Sequence, residues 1–290
     1  MSLSELIIRD WAVSVGPQAA ETALVSLERG DVIFLPHLRL TVSNGERELF
    51  TPAILGHAKN ASFDPQSNSL KRTTLVGEPA VRLIGLMRRF SDASASLVAG
   101  LFPQYASRLV RARASFRPVE IAGRASSWRK DDTRLHVDSF PATPSGGRRI
   151  LRVFSNVNPD GRARVWRIGD EFDAVAARFG PRLRVPMPGG GRLLALLRIT
   201  KSPRTPYDAL MLQLHDRMKE DAVFQQSSPQ TRVDFPAGST WLAFTDQVSH
   251  AAMSGQFQLE QTFLLPVEAM REPDRSPLRV LERIKQRRLT

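Results

Sequence analysis

The chain has 290 residues, no cysteine and a formal net charge of +12 at pH 7. The absence of cysteine excludes disulfide bonds, thiolate metal ligands and cysteine nucleophiles, and it fits a reducing, cytoplasmic environment. The excess of positive charge either meets an anionic partner or only serves solubility in a generally basic proteome. Nucleic acid, a membrane surface and an anionic glycolipid are all suitable partners. We find no signal-peptide pattern at the N-terminus and no apolar run of the roughly 18 residues that a transmembrane helix needs.

The first 120 residues alternate between helical and extended patterns. In chain order they predict a helix at 17–29, a strand at 31–36, a polar loop over 52–75, a helix over 78–112 that breaks at Phe102-Pro103, and a strand at 115–120. His57 lies in the polar loop. A basic segment, residues 123–133, then leads to the motif described next.

Residues 136–138 read His-Val-Asp, and a further histidine stands at His250. In a strand, residues i and i+2 point to the same side, so His136 and Asp138 can face one metal ion. His250 follows Asp138 by 112 residues, which suits a strand that is remote in sequence but adjacent in space. Two imidazoles and one carboxylate form the ligand set of mononuclear non-haem iron(II) oxygenases. A hydrogen-bonded surface pair is the alternative for His136 and Asp138.

The stretch 148–157 is predicted to be a strand. On it, Ile150, Arg152, Phe154 and Asn156 share one face. Polar side chains on a face shared with apolar ones indicate an anion site. Arg149 has the opposite strand parity.

The remaining elements are a strand at 165–169, a helix at 172–179, a Gly/Pro loop at 186–191, a helix at 207–222, and strands at 231–235, 240–245 and 258–266. His250 falls between the last two strands, near a strand end or in a loop. In the basic tail, Leu278, Leu281, Ile284 and Leu289 form a partial helical stripe. The tail either lies on an anionic membrane surface or packs on the protein itself.

Three segments resemble those of Kdo 3-hydroxylases: residues 136–141 (HVDSFP), the strand 149–159, and residues 244–251 (FTDQVSHA). That resemblance implies an Fe(II)- and 2-oxoglutarate-dependent dioxygenase that uses O2 to convert the Kdo of Kdo-lipid A to its 3-hydroxylated form, Ko. The implied fold is α+β, with a double-stranded β-helix core (jelly-roll, cupin-like) flanked by helices. We therefore expect one dioxygenase domain over 1–290, with flanking elements at 1–120, the metal-binding core at 121–266 and the basic tail at 267–290.

The resemblance also implies roles for individual residues. His136, Asp138 and His250 would bind the iron, with no catalytic residue beyond these ligands. Many relatives place the cation for the far carboxylate of 2-oxoglutarate shortly after the distal histidine, but this chain has Glu260, Gln261 and Thr262 there. Other branches place it on the strand after the His-x-Asp motif. The expected cation is Arg152, which shares its face with Asn156, a further expected 2-oxoglutarate contact, and Arg149 is the second choice. A structural salt bridge is the alternative for Arg152. Gln261 and Thr262 are expected to donate hydrogen bonds to 2-oxoglutarate.

The expected substrate contacts are basic or polar side chains that would meet the Kdo carboxylate or the lipid A phosphates: His57, Arg124, Arg129, Lys130 and Arg134. A solvated basic face is the alternative for the last four. Two other functions remain open, a 2-oxoglutarate-dependent protein hydroxylase and a metal-free basic module that binds nucleic acid or membrane. On the main hypothesis we expect no nucleic-acid partner, and we expect a cytoplasmic enzyme, peripheral on the inner face of the inner membrane.

Overall fold

The computed structural model describes residues 2–187 and 189–290, so the loop predicted at 186–191 is described only in part. The strands of these residues are β1 Leu3–Glu5, β2 Val32–Leu35, β3 Ala61–Asp64, β4 Ser69–Lys71, β5 Val110–Arg117, β6 Arg149–Asn156, β7 Arg164–Ile168, β8 Thr231–Phe235, β9 Thr240–Phe244, β10 His250–Ser254 and β11 Gln258–Leu265. The α-helices are α1 Pro17–Arg29, α2 Asn44–Arg47, α3 Gly77–Leu101, α4 Phe172–Phe179, α5 Gly190–Leu196, α6 Pro206–Glu220, α7 Ala222–Ser227 and α8 Pro277–Lys285.

The strands form two sheets. The larger has the order β1-β2-β9-β6-β11-β5-β3-β4, and the smaller has the order β10-β7-β8. All pairings are antiparallel except that of β1 with β2. Non-consecutive strands lie side by side, and an aromatic cluster fills the space between the sheets, with Phe154 and Trp241 from the larger and Trp166 and Phe235 from the smaller. This is the layered arrangement of a jelly-roll, so the predicted fold class is confirmed.

Helices cover the other face of the larger sheet. α3 buries a stripe of apolar residues, among them Leu83, Phe90 and Leu97, in the second and larger hydrophobic cluster. α1 matches its predicted bounds because its ends are marked in the sequence: Pro17 begins it, and Gly30 ends it with a φ of 99°. Alternation of the strand residues thus gives the larger sheet one helix-covered face and one face toward the smaller sheet.

Several predicted elements were wrong in extent. The helix predicted over 78–112 ends at Leu101, at the predicted break, but residues 102–109 hold no α-helix and the chain is extended from Val110. The polar loop at 52–75 contains the hairpin β3–β4. The strand expected at His136 is reduced to one bridge with His250. β1, β10, α2, α5 and α7 were not predicted.

The basic tail packs on the protein itself. α8 buries Leu278 and Leu281, and Leu289 is fully buried beyond it. The apolar stripe predicted for the tail is therefore covered. Among the described helices, none has both the length and the apolar character needed to cross a membrane.

Candidate metal centre

Two distant segments hold the three predicted ligands together. The backbone N–H of His136 donates to the carbonyl of His250 at 3.0 Å, and the N–H of His250 donates to the carbonyl of His136 at 2.9 Å. The N–H of Asp138 donates to the carbonyl of Thr245 at 2.7 Å. One ligand atom from each of His136, Asp138 and His250 lies within 4.8 Å of the others. The fold thus brings the three predicted ligands together in one compact cluster of donor atoms.

Backbone carbonyls fix the tautomer of both imidazoles. Nδ1 of His136 lies 2.7 Å from the carbonyl oxygen of Arg134, and Nδ1 of His250 lies 2.8 Å from that of Val248. A carbonyl only accepts, so each Nδ1 carries the proton and each Nε2 keeps its lone pair. Burial lowers the pKa of both histidines, so both are neutral at pH 7.

Asp138 supplies the negative charge of the cluster. Burial alone would raise its pKa, but the Arg152 guanidinium lowers the pKa below the usual range of a carboxyl group. Oδ2 of Asp138 lies 3.0 Å from Nη1 of Arg152, and Oδ1 lies 3.9 Å from Nε2 of His136. Two neutral imidazole nitrogens and one ionised carboxylate, all buried, fit a ferrous ion held on one face with its other positions open.

The ligands open onto a cavity between the two sheets. Besides the ligands, its wall consists of Arg117, Asp132, Arg152, Phe154, Arg164, Trp166, Ala252, Gln258 and Glu260. Three guanidinium groups in one small space mark a site for anions.

The three arginines differ in how their charge is balanced. Nη2 of Arg117 lies 2.9 Å from Glu260, which raises the pKa of Arg117. Arg152 pairs with Asp138 and lies 3.5 Å from Glu260. Arg164 makes no ion pair with any described residue, and its Nη1 donates to the carbonyl of Gly255 at 2.7 Å. Burial lowers the pKa of Arg164 to about 9. No described carboxylate therefore forms an ion pair with Arg164, and Asp132, Glu120 and Glu260 offset the effect of burial on its pKa only in part.

Three donors in the cavity wall, Nε of Arg152 among them, have no acceptor, and the other two lie on one strand. Nε of Arg164 and Nε1 of Trp166 are buried without a hydrogen bond. Both belong to β7 and, two residues apart, lie on the same face. The Trp166 ring also stacks on His250, with centroids 4.9 Å apart. Because buried donors in native proteins nearly always have a partner, this pair indicates a site for a bound acceptor, such as a carboxylate, beside the metal ligands.

The predicted 2-oxoglutarate residues lie in different places. Arg152 lines the cavity. The Asn156 amide donates to the carbonyls of Arg162 and Phe235, so it supports a turn. Arg149 lies on the opposite face of β6, where its guanidinium binds Asp246. The structure thus brings Arg152 to the ligands but not Asn156 or Arg149.

The two candidates on β11 are also outside the cavity wall. Gln261 is on the far face, and its Nε2 donates to the carbonyl of Ala112 at 3.0 Å. Thr262 lies opposite Arg152 in register and shares its face, but it does not line the cavity. Their neighbours of the same parity, Gln258 and Glu260, do line it.

The predicted substrate residues are scattered. His57 and Lys130 are exposed, and Arg129 lies over the Trp128 ring and pairs with Asp216. Arg134 donates to the carbonyl of Lys219. Arg124 alone among the five binds a residue of the cavity wall, through a 2.6 Å ion pair with Asp132. The basic segment before the motif is therefore not one continuous anion site.

The sequence did not assign to the site several residues that line it, among them Arg117, Asp132, Arg164, Trp166 and Glu260. It also did not assign His215, which lies beside the ligands. The His215 ring meets the His136 ring edge-on at 5.3 Å, and its Nδ1 lies 2.9 Å from Asp216. Parity on the strand at 164–168 places Arg164 and Trp166 on one face. The sequence does not show which face meets the ligands, because that depends on the pairing of β7 with β10.

Comparisons with known proteins agree with this geometry. The family model for 3-deoxy-D-manno-oct-2-ulosonic acid (Kdo) hydroxylase matches residues 10–288. A structure of the Kdo hydroxylase KdoO, a non-haem Fe(II) α-ketoglutarate-dependent dioxygenase in complex with α-ketoglutarate and Fe(III), is 46% identical, with a TM-score of 0.96 over 100% of this chain and 98% of that chain. A cobalt(II) complex of KdoO is 47% identical, with a TM-score of 0.96 over 99% and 97%. A search of curated protein sequences found no match.

Proposed function

Because the chain belongs to the Kdo hydroxylase family and is an Fe(II)- and 2-oxoglutarate-dependent dioxygenase that hydroxylates Kdo, we propose that its substrate is Kdo attached to lipid A and that C3 is the carbon hydroxylated, giving Ko. One observation carries the proposed site: the three buried donors His136, Asp138 and His250 share a cavity with the unpartnered donors of Arg164 and Trp166. The family favours this sugar substrate over a protein substrate or a metal-free binding module.

We assign the metal to His136, Asp138 and His250. When bound, iron(II) and 2-oxoglutarate reduce dioxygen, with one oxygen atom entering succinate and the other entering the substrate C–H bond, and with release of carbon dioxide. The contribution of the protein is to hold these groups in place. Two backbone hydrogen bonds join His136 to His250, and each imidazole is oriented by a carbonyl.

We assign the carboxylates of 2-oxoglutarate to Arg164, Trp166 and Arg152. An anion beside Arg164 would stabilise the charged form that burial disfavours, and it would give Nε of Arg164 and Nε1 of Trp166 their missing acceptor. Arg152 already forms an ion pair with Asp138 through its Nη1. Arg117, paired with Glu260, closes the same wall. This assignment changes the sequence-based expectation by adding two residues of β7 and by omitting Arg149, Asn156, Gln261 and Thr262.

On the sugar side we assign Asp132 to hydroxyl recognition. The cationic side chains of Arg117, Lys219 and Lys59 overcome the effect of burial and lower the pKa of Asp132 to about 2, so it is an ionised acceptor in the cavity wall. Arg124 holds its Oδ2 at 2.6 Å. A polyhydroxylated sugar offers the donors that such a carboxylate binds. The net charge of +12 also suits a substrate that carries carboxylates and phosphates. A lipid-linked substrate would place the enzyme at the cytoplasmic face of the inner membrane.

Product analysis tests the proposal. The iron-loaded protein is incubated with 2-oxoglutarate and Kdo-lipid A in air, and mass spectrometry follows the glycolipid while succinate is quantified. We expect a gain of one oxygen atom, placed at C3 by NMR, in a one-to-one ratio with succinate. The His136→Ala variant should give neither product. A gain of oxygen on a protein in a cell extract, with none on Kdo-lipid A, would contradict the proposed substrate.

A further inference from the structure

Exposed apolar side chains concentrate in one short stretch. Five of the eleven large hydrophobic residues that are exposed in the described chain lie within residues 187–199. We call residues 189–199 the apolar segment. Its four large exposed residues are Leu193 (55% exposed), Leu196 (79%), Leu197 (59%) and Ile199 (57%). Single exposed hydrophobic residues need no explanation, but a contiguous group marks an interaction surface.

The apolar segment also lies in the most one-sidedly charged part of the sequence. Between Asp173 and Asp208 there is no acidic residue, whereas seven residues are basic. Arg192 and Arg198 lie within the segment and are exposed, as are Arg182, Arg184 and Lys201 beside it. None of these five makes an ion pair with a residue that the structure describes. Free cations around exposed leucines match a surface that is anionic at its boundary and apolar beneath it, which is the chemistry of an anionic bilayer.

The base of the segment is fixed to the protein. Gly191 passes so close to Arg204 that a Cβ atom would lie 1.9 Å from the Arg204 carbonyl oxygen. The N–H of Lys201 donates to the carbonyl of Ala142 at 3.0 Å, and Nη2 of Arg204 donates to that of Pro141 at 2.7 Å. The exposed leucines therefore belong to α5 and the turn after it, and the base of this segment is held by hydrogen bonds to the protein.

That anchor lies close to the metal centre. Pro141 is three residues beyond the ligand Asp138, and an extended chain covers at most about 3.6 Å per residue, so their Cα atoms are no more than about 11 Å apart. The Phe140 ring between them lies 5.3 Å from the guanidinium carbon of Arg152 in the cavity wall. A surface bound at the apolar segment would thus lie beside the loop that leaves the active site.

We propose that the apolar segment is a membrane-docking element that seats the enzyme on an anionic lipid bilayer beside its active site. The leucines enter the acyl region while Arg192 and Arg198 contact lipid phosphates. Docking itself does not depend on the proposed function. Only its consequence, that docking brings a bilayer-embedded Kdo glycolipid to the cavity, rests on the proposed function. The tail, whose leucines are buried against the protein, does not share this role.

Co-sedimentation with vesicles tests docking without reference to activity. The iron-loaded full chain is mixed with phosphatidylglycerol/phosphatidylethanolamine vesicles, and the bound fraction is measured for the wild type, for Leu196→Ser with Leu197→Ser, and for a matched control, Val76→Ser with Val81→Ser. The control valines are 81% and 65% exposed and lie on or beside α3. Removing two inserted leucines should weaken binding at least about tenfold, while the control pair binds as the wild type does.

The second part of the experiment varies the charge of the apolar segment and measures the oligomeric state. Arg192→Ser with Arg198→Ser should weaken binding to anionic vesicles by about fivefold per residue, and the wild type should bind pure phosphatidylcholine weakly. Equal binding by the leucine pair and the control pair would overturn the proposal. So would a wild-type dimer that the leucine pair converts to monomer, because the segment would then be covered by a second copy. Thermal unfolding verifies that each variant is folded.

An activity ratio separates this proposal from the proposed function. Turnover of vesicle-embedded Kdo-lipid A is divided by turnover of a deacylated, water-soluble Kdo oligosaccharide. The leucine pair should lower that ratio, and an unchanged ratio would overturn the docking role. If neither substrate gains oxygen with the wild type, the proposed function fails, and the vesicle-binding result still decides the docking proposal.

Discussion

Arg149 and Arg152 are buried arginines three residues apart on strand β6, and they lie on opposite faces of the larger sheet. Arg149 is fully partnered: Nε binds Asp246 at 2.8 Å, Nη2 binds Gln247 at 2.6 Å, and the guanidinium lies 3.9 Å from the centre of the Phe244 ring. Arg152 faces the cavity, where its Nε has no hydrogen-bond partner. Burial alone therefore does not distinguish a structural arginine from a functional one. Incomplete hydrogen bonding beside the metal ligands does.

Replacing Arg149 should have the largest effect on stability. Arg149→Met leaves the Asp246 carboxylate buried without its cation, which should cost about 3–5 kcal/mol in the free energy of unfolding. Urea unfolding measures this loss. Adding Asp246→Asn removes the stranded charge and should recover part of it. A negligible loss for the single variant would show that Arg149 is not the structural partner described above.

Replacing Arg164 should affect the co-substrate and leave the fold intact. Arg164→Leu removes a guanidinium that has no ion pair among the described residues, so no partner charge is stranded. It also removes charge-assisted hydrogen bonds to 2-oxoglutarate, and the KM for 2-oxoglutarate should rise about 10- to 100-fold. Steady-state kinetics at saturating Kdo substrate provide the measurement. The folded fraction of Arg149→Met serves as the control and should keep the wild-type KM for 2-oxoglutarate. A similar rise in KM for both variants would show that the two faces of β6 do not differ in function.

Trp166 should give a smaller effect of the same kind. Trp166→Phe keeps an aromatic ring that can stack on His250 and removes only the Nε1 donor. One hydrogen bond to a charged acceptor is lost, so the KM for 2-oxoglutarate should rise about tenfold or less. Kinetics show this rise, and the metal content should not change. Loss of metal together with a normal KM would mean that the indole supports His250 and does not bind the co-substrate.

Gln261 should give the smallest effect. Its side chain lies on the far face and donates to the carbonyl of Ala112. Gln261→Met should therefore lower stability by about 1 kcal/mol and leave the KM for 2-oxoglutarate unchanged. Its neighbour Glu260, of opposite parity, lines the cavity and serves as the contrasting position. If the KM rises for Gln261→Met, the register of β11 in the site is not as described.

Local signals in the sequence predicted part of this molecule well. The helices at 17–29 and 172–179 and the strand at 231–235 have their predicted bounds, because apolar periodicity and end signals are properties of the segment itself. The hairpin β3–β4 was missed because its residues alternate poorly and it is stabilised by pairing with β5. The break predicted at Phe102-Pro103 is confirmed, because α3 ends at Leu101. The helix predicted beyond the break is wrong, because pairing with β11 overrides helical propensity from Val110 onward.

The candidate site was likewise predicted only in part from local signals in the sequence. Strand parity and spacing identified His136 and Asp138, and parity separated Arg152 from Arg149. The positions of Arg164 and Trp166 depend on β7 lying between β10 and β8, a pairing between strands far apart in sequence. Whether a buried donor has a partner is likewise a property of the assembled fold. The sequence therefore predicted the ligand set, and the structure was needed to find the surrounding anion site.

Anaerobic optical titration tests the central claim most directly. The wild type and His136→Ala are each loaded with Fe(II) and titrated with 2-oxoglutarate in the absence of oxygen. We predict a weak visible metal-to-ligand charge-transfer band that saturates at one equivalent of iron in the wild type, needs far more 2-oxoglutarate in Arg164→Leu, and is absent in His136→Ala. No band and no stoichiometric iron in the wild type would contradict the assignment of this cavity as the iron and 2-oxoglutarate site.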